Sequence, residues 1–281
     1  MKSSFINFNG EFFPEDQLVM NIANRGFKYG DGLFESMRFL KGELMFSELH
    51  ADRIRKGMKT LKFEGYSQID HYFLKEKVSE LVRKNKTGQN ARIRLTVFRD
   101  SDGLYSPNSN KIGYALEVTK IADANYTAIK NNKGLIIDVY DEITKPINLL
   151  SNLKTCNSLL YVIAGIYKNQ HALDEVLILN QNGFLCESIS SNIFIVYQKQ
   201  IYTPALNEGC IAGVMRNVIM RLAKENGMEV IEAQVNPAIL LEADEVFLTN
   251  ASRGIQWVMG YNNKRYFNEV SRFLMEKLNN C

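Results

Sequence analysis

The stretch Ser151-Asn152-Leu153-Lys154-Thr155-Cys156-Asn157 places a lysine directly ahead of a strongly apolar segment. That segment predicts a packed helix over residues 158–169, so Lys154 would lie where a packed element begins. Burial there would disfavour the ammonium form of Lys154, and its amine would become nucleophilic near neutral pH. Most lysines are solvated surface groups instead, and this residue taken alone leaves both interpretations open.

A glutamate and an arginine are the next candidates for chemistry. Glu187 follows a turn predicted at 181–183, and beside a pyridine nitrogen its carboxylate would keep that nitrogen protonated. Arg53 lies on a helix predicted to begin at Ser47 as its N-cap, and its guanidinium can bind phosphate through two parallel hydrogen bonds. The alternatives are a turn glutamate capped by its neighbours and a surface arginine paired with an acid.

A loop of small residues at 207–213 runs directly into a helix predicted over 214–225. Backbone N–H groups at the start of a helix bind phosphate well, and glycine permits close approach of the ligand. An ordinary loop before a helix explains the same pattern.

The composition is that of an ordinary globular protein. Its 281 residues suffice for two packed domains or one large domain with a lobe, and 46% are apolar. The net charge is +3 without any run of like charges, so we expect no nucleic-acid partner. The N-terminus lacks the apolar core of a signal peptide, and the longest mainly apolar stretch, 159–167, is too short to span a bilayer. With four widely spaced cysteines that we expect to be reduced, we predict a cytoplasmic protein.

Motifs for metal and nucleophile chemistry are missing from the sequence. His50, His71 and His171 are scattered, with no HExxH motif and no cysteine at ligand spacing, so we expect no metal site. The sequence also lacks GxSxG, Walker A and GxGxxG motifs. A Ser–His–Asp arrangement stays open, although nothing local supports one.

Hydrophobic periodicity predicts an α+β protein with two lobes rather than regular βαβ alternation. We expect a small α/β domain over residues 1–122, a linker over 123–132 and a larger domain over 133–281 that contains Lys154. In the first domain we predict a hairpin at 5–13, a helix from 47, a helix at 67–84, and strands at 33–40, 91–98 and 114–121. In the second we predict strands at 135–140, 175–179, 192–197, 229–235, 245–249 and 256–261, and helices at 158–169, 214–225, 237–242 and 267–278.

The order of these candidate segments is more specific than any one of them. It comprises Tyr29-Gly30-Asp31-Gly32-Leu33-Phe34-Glu35, His50-x-x-Arg53, Lys154-x-x-Asn157, Glu187-x4-Asn192-x-Phe194, Gly213-x-x-Arg216 and Asp244-Glu245-Val246. This ordered set resembles fold-type IV pyridoxal-phosphate enzymes, the class IV aminotransferase family. The family includes branched-chain and D-amino-acid aminotransferases and 4-amino-4-deoxychorismate lyase. The resemblance runs from about residue 5 to 260, nearly the whole chain.

The resemblance implies a two-domain fold with a small α/β lobe and a larger pseudo-barrel lobe. It implies pyridoxal 5'-phosphate as the cofactor, with Lys154 holding it as a Schiff base and moving the proton at the substrate α-carbon. Glu187 would pair with the pyridine nitrogen, and Phe34 would line the substrate side. The phosphate would be bound by Arg53, by the segment Gly213, Val214 and Met215, and by Asn250 and Ala251. Family members are usually homodimers, which here implicates the loop at 103–110 as the part that reaches the partner's site.

The sequence also bears on which member of the family this is. D-amino-acid aminotransferases carry a tyrosine where Phe34 stands, and an arginine and a histidine in the loop that here spans 99–105, so D-specific transamination is disfavoured. Branched-chain aminotransferases share Phe34, which suits an apolar side chain, but carry small glycines and a tyrosine after the residue that matches Lys154. We therefore expect transfer of an amino group from a branched-chain-like L-amino acid to a 2-oxo acid.

4-Amino-4-deoxychorismate lyase, which releases pyruvate and 4-aminobenzoate, is the alternative. It resembles the chain in Lys154-x-x-Asn157 and in Thr249-Asn250-Ala251, whereas Asp100 and Leu104 break its loop pattern. Its dianionic substrate needs cationic partners, since burying unpaired carboxylates is costly. The sequence offers Arg92, Arg94 and Arg253 for that role. A third interpretation, a cofactor-binding protein without turnover, is disfavoured because both Lys154 and Glu187 are present.

Overall fold

The computed structural model describes residues 4–126 and 133–281, which form two compact units. The first unit holds the described residues of Met1–Ala124 together with Leu153–Ser158, and the second holds those of Asn125–Asn152 and Leu159–Cys281. The segment around Lys154 therefore groups with the N-terminal unit. Residues 127–132 of the predicted linker lie outside the described residues, and the domain limits 1–122 and 133–281 stay a prediction.

The first unit is built on an antiparallel sheet. Its elements are β1 (Phe5–Phe8), β2 (Glu11–Pro14), α1 (Arg25–Tyr29), β3 (Gly32–Leu40), β4 (Glu43–Leu44), α2 (Ser47–Thr60), α3 (His71–Asn85), β5 (Ala91–Arg99) and β6 (Ile112–Lys120). The six strands are ordered β2-β1-β6-β5-β3-β4. Side chains alternate along β3, so that Leu33, Met37 and Phe39 join α2 and α3 in one apolar core. The intervening residues of β3, including Phe34, face the other side of the sheet.

The second unit is built on a larger mixed sheet. Its elements are β7 (Leu135–Lys145), α4 (Leu159–Gln170), β8 (Glu175–Asn180), β9 (Leu185–Ser188), β10 (Asn192–Tyr197), β11 (Gln200–Pro204), α5 (Val214–Glu225), β12 (Val230–Ala233), β13 (Glu245–Asn250), β14 (Gly254–Tyr261), β15 (Lys264–Arg265) and α6 (Glu269–Asn279). The strands are ordered β12-β11-β10-β13-β14-β7-β8-β9, with β15 on β14. The Leu185 N–H, on the last strand of that order, donates to the Val235 carbonyl just beyond the first strand, at 2.9 Å. The sheet therefore curls until its two edges meet.

Most predicted strands and helices are present, and α5 matches its predicted range. The prediction of Ser47 as an N-cap is wrong, because Phe46 occupies the cap with a φ of 53° and Ser47 is already helical. The second helix begins at His71 rather than 67, where the Asp70 side chain accepts from the Phe73 N–H at 2.8 Å. The elements α1, β9, β11 and β15 were not predicted. In the part of the chain that the structure describes, no helix is both long and apolar enough to cross a membrane.

The expectation that Lys154 opens a packed helix is also wrong. The helix α4 begins only at Leu159, and Ala164 is its one buried residue. Leu159, Val162 and Ile166 are exposed along it. The apolar run after Lys154 therefore predicted a helix correctly, but that helix is mostly not buried.

Candidate functional site

The backbone of Lys154 is bound to β3 in the first unit. The Phe34 N–H donates to the Lys154 carbonyl at 2.9 Å, and the Cys156 N–H donates to the Gly32 carbonyl at 2.9 Å. A Cβ at position 32 would lie 2.7 Å from the Val97 carbonyl oxygen and 3.1 Å from the Cys156 sulfur, so only glycine allows this approach. The segment around Lys154 is therefore held beside β3 by backbone contacts that are distant in sequence.

The side chain of Lys154 lies over an aromatic ring. Its Nζ is 4.4 Å from the centroid of the Phe34 ring, and the Arg94 guanidinium carbon is 3.9 Å from the same centroid. Both contacts are cation–π interactions, which fix the direction of a long flexible side chain. The structure thus brings together three residues that the sequence analysis assigned to the site.

Arg92 is not part of this group. It lies on the same face of β5 as Arg94, but it is exposed and pairs in register with Arg38 near the far end of β3. By contrast, Arg94 pairs in register with Ser36, next to the Phe34 position. The assignment of Arg92 to the substrate therefore finds no support in its surroundings.

Arg53 is bound to a buried carboxylate on β3. Its Nε donates to Oε1 of Glu35 at 2.7 Å and its Nη2 to Oε2 at 2.5 Å, while Nδ1 of His50 lies 2.6 Å from Oε2. Burial opposes ionisation of Glu35, but the charge of Arg53, followed by the electrostatic interaction and hydrogen bond with His50, outweighs it and lowers the pKa of Glu35 to about 2. Burial also lowers the pKa of His50, so the ring is neutral and its Nδ1–H donates to Glu35. The guanidinium of Arg53 is thus held in one orientation.

Glu35 was missed as a site residue by the sequence analysis, although a signal was present. It occupies a core-facing position of β3, between Leu33 and Met37, where every neighbour on that face is apolar. A charged residue at such a position must have buried partners. His50 and Arg53, one turn apart on α2, are the residues that supply them.

Glu187 lies on β9 in the second unit and is almost completely buried, at 3% exposure. Its Oε1 accepts from the Tyr161 hydroxyl at 2.7 Å and from the Lys145 ammonium, and its Oε2 accepts from the Ile211 N–H at 2.8 Å. The alternative of a turn glutamate is wrong, because Glu187 pairs with Ile178 inside the sheet. Neither Lys145 nor Tyr161 was singled out from the sequence, which carries no local signal for them.

The start of α5 offers backbone donors. Gly213 is the N-cap residue and makes no side-chain hydrogen bond there, so the first-turn N–H groups at Val214 and Met215 point out of the helix end. A Cβ at position 213 would lie 1.9 Å from Oδ1 of Asn192. The second unit therefore requires a glycine at this helix start, and an anion can approach the backbone there.

The remaining predicted residues lie at the end of β13 and just after it, in the second unit. The Asn250 amide donates to the Ser191 hydroxyl at 2.9 Å, and its Oδ1 accepts from the N–H groups of Ser252 at 3.0 Å and Arg253 at 2.8 Å. This turn fixes the backbone on both sides of Ala251. Arg253 itself lines a cavity of about 340 Å³ together with Glu175. Burial raises the pKa of Glu175.

Comparison with known proteins identifies the family of the chain. The family model for class IV amino-transferases matches residues 32–260. A branched-chain-amino-acid aminotransferase of Salmonella typhimurium is 28% identical, over 90% of this chain and 84% of its own. An aminodeoxychorismate lyase of Bacillus subtilis is 29% identical, over 88% of this chain and 83% of its own.

The crystal structure of an aminotransferase from Brucella abortus bound to the cofactor PLP superposes with a TM-score of 0.82 at 18% identity, and the match covers all of both chains. This likeness confirms the predicted α+β, two-lobed fold of fold-type IV enzymes. Together with the family match over most of the sequence, it confirms the resemblance inferred from the ordered motifs. The chain belongs to the class IV aminotransferase family.

Proposed function

We propose that the chain is a pyridoxal 5'-phosphate-dependent aminotransferase that moves an amino group from a branched-chain-like L-amino acid to a 2-oxo acid. The observation that carries the proposal is the position of Lys154. Its backbone is bound to β3 and its amine lies over the Phe34 ring, 4.4 Å from the centroid. A nucleophilic lysine is effective when its direction is fixed before the ligand arrives.

The residues present fit this cofactor. A carboxylate has about four acceptor sites, and Glu187 uses three of them, which leaves one on Oε2 for a protonated ring nitrogen. The glycine at position 213 keeps the start of α5 clear, as a phosphate group requires. When bound, pyridoxal phosphate supplies a ring that withdraws electrons from the substrate α-carbon.

Each residue has one role in the proposal. Lys154 supplies the amine that holds the cofactor covalently and then carries the proton at the substrate α-carbon. Glu187 accepts a hydrogen bond from the ring nitrogen. Arg53, oriented by Glu35, binds the phosphate with the N–H groups of Val214 and Met215 and the turn at Asn250 and Ala251.

The substrate side of Lys154 is the first unit's Phe34 ring with Arg94 against it. An aromatic ring suits an aliphatic side chain, which supports a branched-chain-like donor. The guanidinium of Arg94, 3.9 Å from the ring centroid, also suits a carboxylate on the substrate. For that reason 4-amino-4-deoxychorismate lyase, which releases pyruvate and 4-aminobenzoate, is the second candidate function.

An absorbance titration separates the two candidates. The cofactor-loaded protein is mixed with single L-amino acids and their D-enantiomers, without any 2-oxo acid. A transaminase converts the lysine-bound absorbance to that of the amine form of the cofactor with its own donor only. If every amino acid leaves the spectrum unchanged and aminodeoxychorismate yields pyruvate, the lyase is correct and the aminotransferase proposal fails.

We also propose that the protein acts as a homodimer. In the first unit, Arg25 donates to the carbonyl of Gly103 at 2.9 Å, which ties down the base of the loop at 103–110. Leu104 and Tyr105 in this loop are 76% and 89% exposed, an arrangement that suits cover by a second copy. Sedimentation equilibrium tests this proposal, and a monomer at micromolar concentration would contradict it.

A further inference from the structure

Two polar side chains of the second unit bind the buried carboxylate of Glu187. Lys145, the last residue of β7, and Tyr161, in the first turn of α4, both donate to the same oxygen, Oε1. Lys145 is 6% exposed and Glu187 is 3% exposed, so the pair is removed from water. The lysine also lies 5.7 Å from the centroid of the Tyr161 ring.

Two thiols also lie near this carboxylate. Cys186 and Cys210 are buried, and burial raises the pKa of the first thiol above its ordinary value and that of the second to about 12. Burial, followed by the charge of Glu187, raises the pKa of Tyr161, so its hydroxyl stays a donor. Among the described residues, Lys145 is the cation that forms an ion pair with Glu187 inside the second unit.

The positive charge of Lys145 affects any second cation that binds Glu187 at Oε2. Two positive charges that share one carboxylate repel each other, and at short distance in a dry site this repulsion is strong. The ammonium of Lys145 thus weakens the attraction of Glu187 for a protonated ring nitrogen. At the same time its hydrogen bond to Oε1 helps to fix the carboxylate, whose Oε2 accepts from the Ile211 N–H.

We infer that Lys145 is a positioning residue that orients Glu187 and limits how strongly its carboxylate retains the proton on the cofactor's ring nitrogen. The inference rests on the proposed function, in which Glu187 faces that nitrogen. In this way Lys145, acting through Glu187, affects how strongly the bound ring withdraws electrons from the substrate.

The test compares two cofactors in four variants. Dissociation constants are measured by absorbance for pyridoxal phosphate and for its analogue in which the ring nitrogen is replaced by a C–H group. The ratio of the two constants, analogue over natural cofactor, reports the interaction between Glu187 and the ring nitrogen alone. A change in packing shifts both constants together and leaves the ratio unaltered.

We expect Lys145→Met to raise this ratio on the order of tenfold, because the repelling charge is gone. Lys145→Arg should restore a ratio close to that of the unmodified protein, since the positive charge is kept. Tyr161→Phe removes a hydrogen bond to the same oxygen but no charge, and should change the ratio by less than about fivefold. Glu187→Gln should bring the ratio close to one.

Two results would overturn the inference in different ways. An unchanged ratio in Lys145→Met, together with a ratio near one in Glu187→Gln, overturns the role of Lys145 and leaves the proposed function intact. A ratio that is the same in Glu187→Gln as in the unmodified protein means that Glu187 does not face the ring nitrogen. That result overturns the assignment of Glu187 in the proposed function, and the inference falls with it.

Discussion

Arg53 donates two hydrogen bonds to the carboxylate of Glu35, from Nε to Oε1 at 2.7 Å and from Nη2 to Oε2 at 2.5 Å. The two residues lie on different elements of the first unit. This ion pair joins α2 to β3 and is largely shielded from water, with Glu35 at 1% exposure. Because β3 also carries the backbone partner of Lys154, this pair ties the proposed phosphate-binding arginine to the strand that holds the proposed catalytic lysine.

Replacing Glu35 by glutamine should destabilise the protein at neutral pH by about 3 kcal/mol, because Arg53 would keep its charge without a buried partner. Urea unfolding followed by circular dichroism measures this. The exposed Asp52 on the same helix provides a control, and Asp52→Asn should change the free energy of unfolding by less than about 0.5 kcal/mol. Equal effects of the two substitutions would contradict the importance of the pair.

The stabilisation from Glu35 should depend on pH in a defined window. Its pKa is lowered from an ordinary 4.5 to about 2 in the folded protein, so its contribution is fully present above pH 4.5 and is lost as the pH falls toward 2. The difference in unfolding free energy between the unmodified protein and Glu35→Gln should therefore shrink over that window. A difference that stays constant down to pH 2.5 would contradict the lowered pKa.

Lys154→Ala should abolish the absorbance of the lysine-bound cofactor and reduce turnover by a factor of at least about 1,000. The fold should survive, because the segment is held by backbone hydrogen bonds to β3 rather than by the lysine side chain. Lys145→Ala is the matched comparison, since it removes a lysine that is not proposed to bind the cofactor covalently. Retention of the lysine-bound absorbance in Lys154→Ala would refute the assignment.

Gly213→Ala should both destabilise the second unit and weaken cofactor binding, because the new methyl group would lie 1.9 Å from Oδ1 of Asn192 at the start of α5. We expect a loss of about 2 kcal/mol in stability. Gly165→Ala is the control, since that glycine lies inside α4 with open space around its Cβ position. It should stabilise the protein by about 0.5–1 kcal/mol through higher helix propensity. Thermal unfolding with and without pyridoxal phosphate measures both variants.

Arg94→Met should raise the KM for the amino-acid donor roughly tenfold or more, because it removes the cation beside Phe34. Arg92→Met should raise it much less, since that arginine is exposed and lies opposite Arg38. Steady-state kinetics with the donor found by the absorbance titration separates the two. If Arg92→Met has the larger effect, the substrate does not approach along the Phe34 side of β3.

The sequence predicted those elements whose formation depends on contacts between residues close together in the chain. The alternation along β3 and the amphipathic spacing of α5 follow from neighbours two to four residues apart, and both elements were predicted. The position of Lys154 against β3 depends on backbone hydrogen bonds between residues more than a hundred positions apart, which no local pattern encodes. Instead, the apolar run after Lys154 suggested a packed helix, and α4 leaves most of that run unburied.

The residues of the candidate site divide in the same way. Lys154, Arg53 and Glu187 were found because their order along the chain resembles a known family, not because any of them has a distinctive local pattern. Glu35 had a readable signal, a charge on the apolar face of a strand. Lys145 had none, because a lysine before a proline at the end of a strand is an ordinary surface pattern, and only the fold carries it to Glu187.

The grouping of Leu153–Ser158 with the first unit has a consequence for how the protein is made. Among the described residues, β3 pairs with β5 along its length and with β4 only at Phe39 and Leu40, so its first half lacks a second neighbour until that later segment arrives. A ribosome that has finished residue 124 has therefore not yet synthesised the segment that binds this edge of β3. An N-terminal fragment ending there would expose backbone groups ready to pair with another chain, so it should aggregate when produced alone.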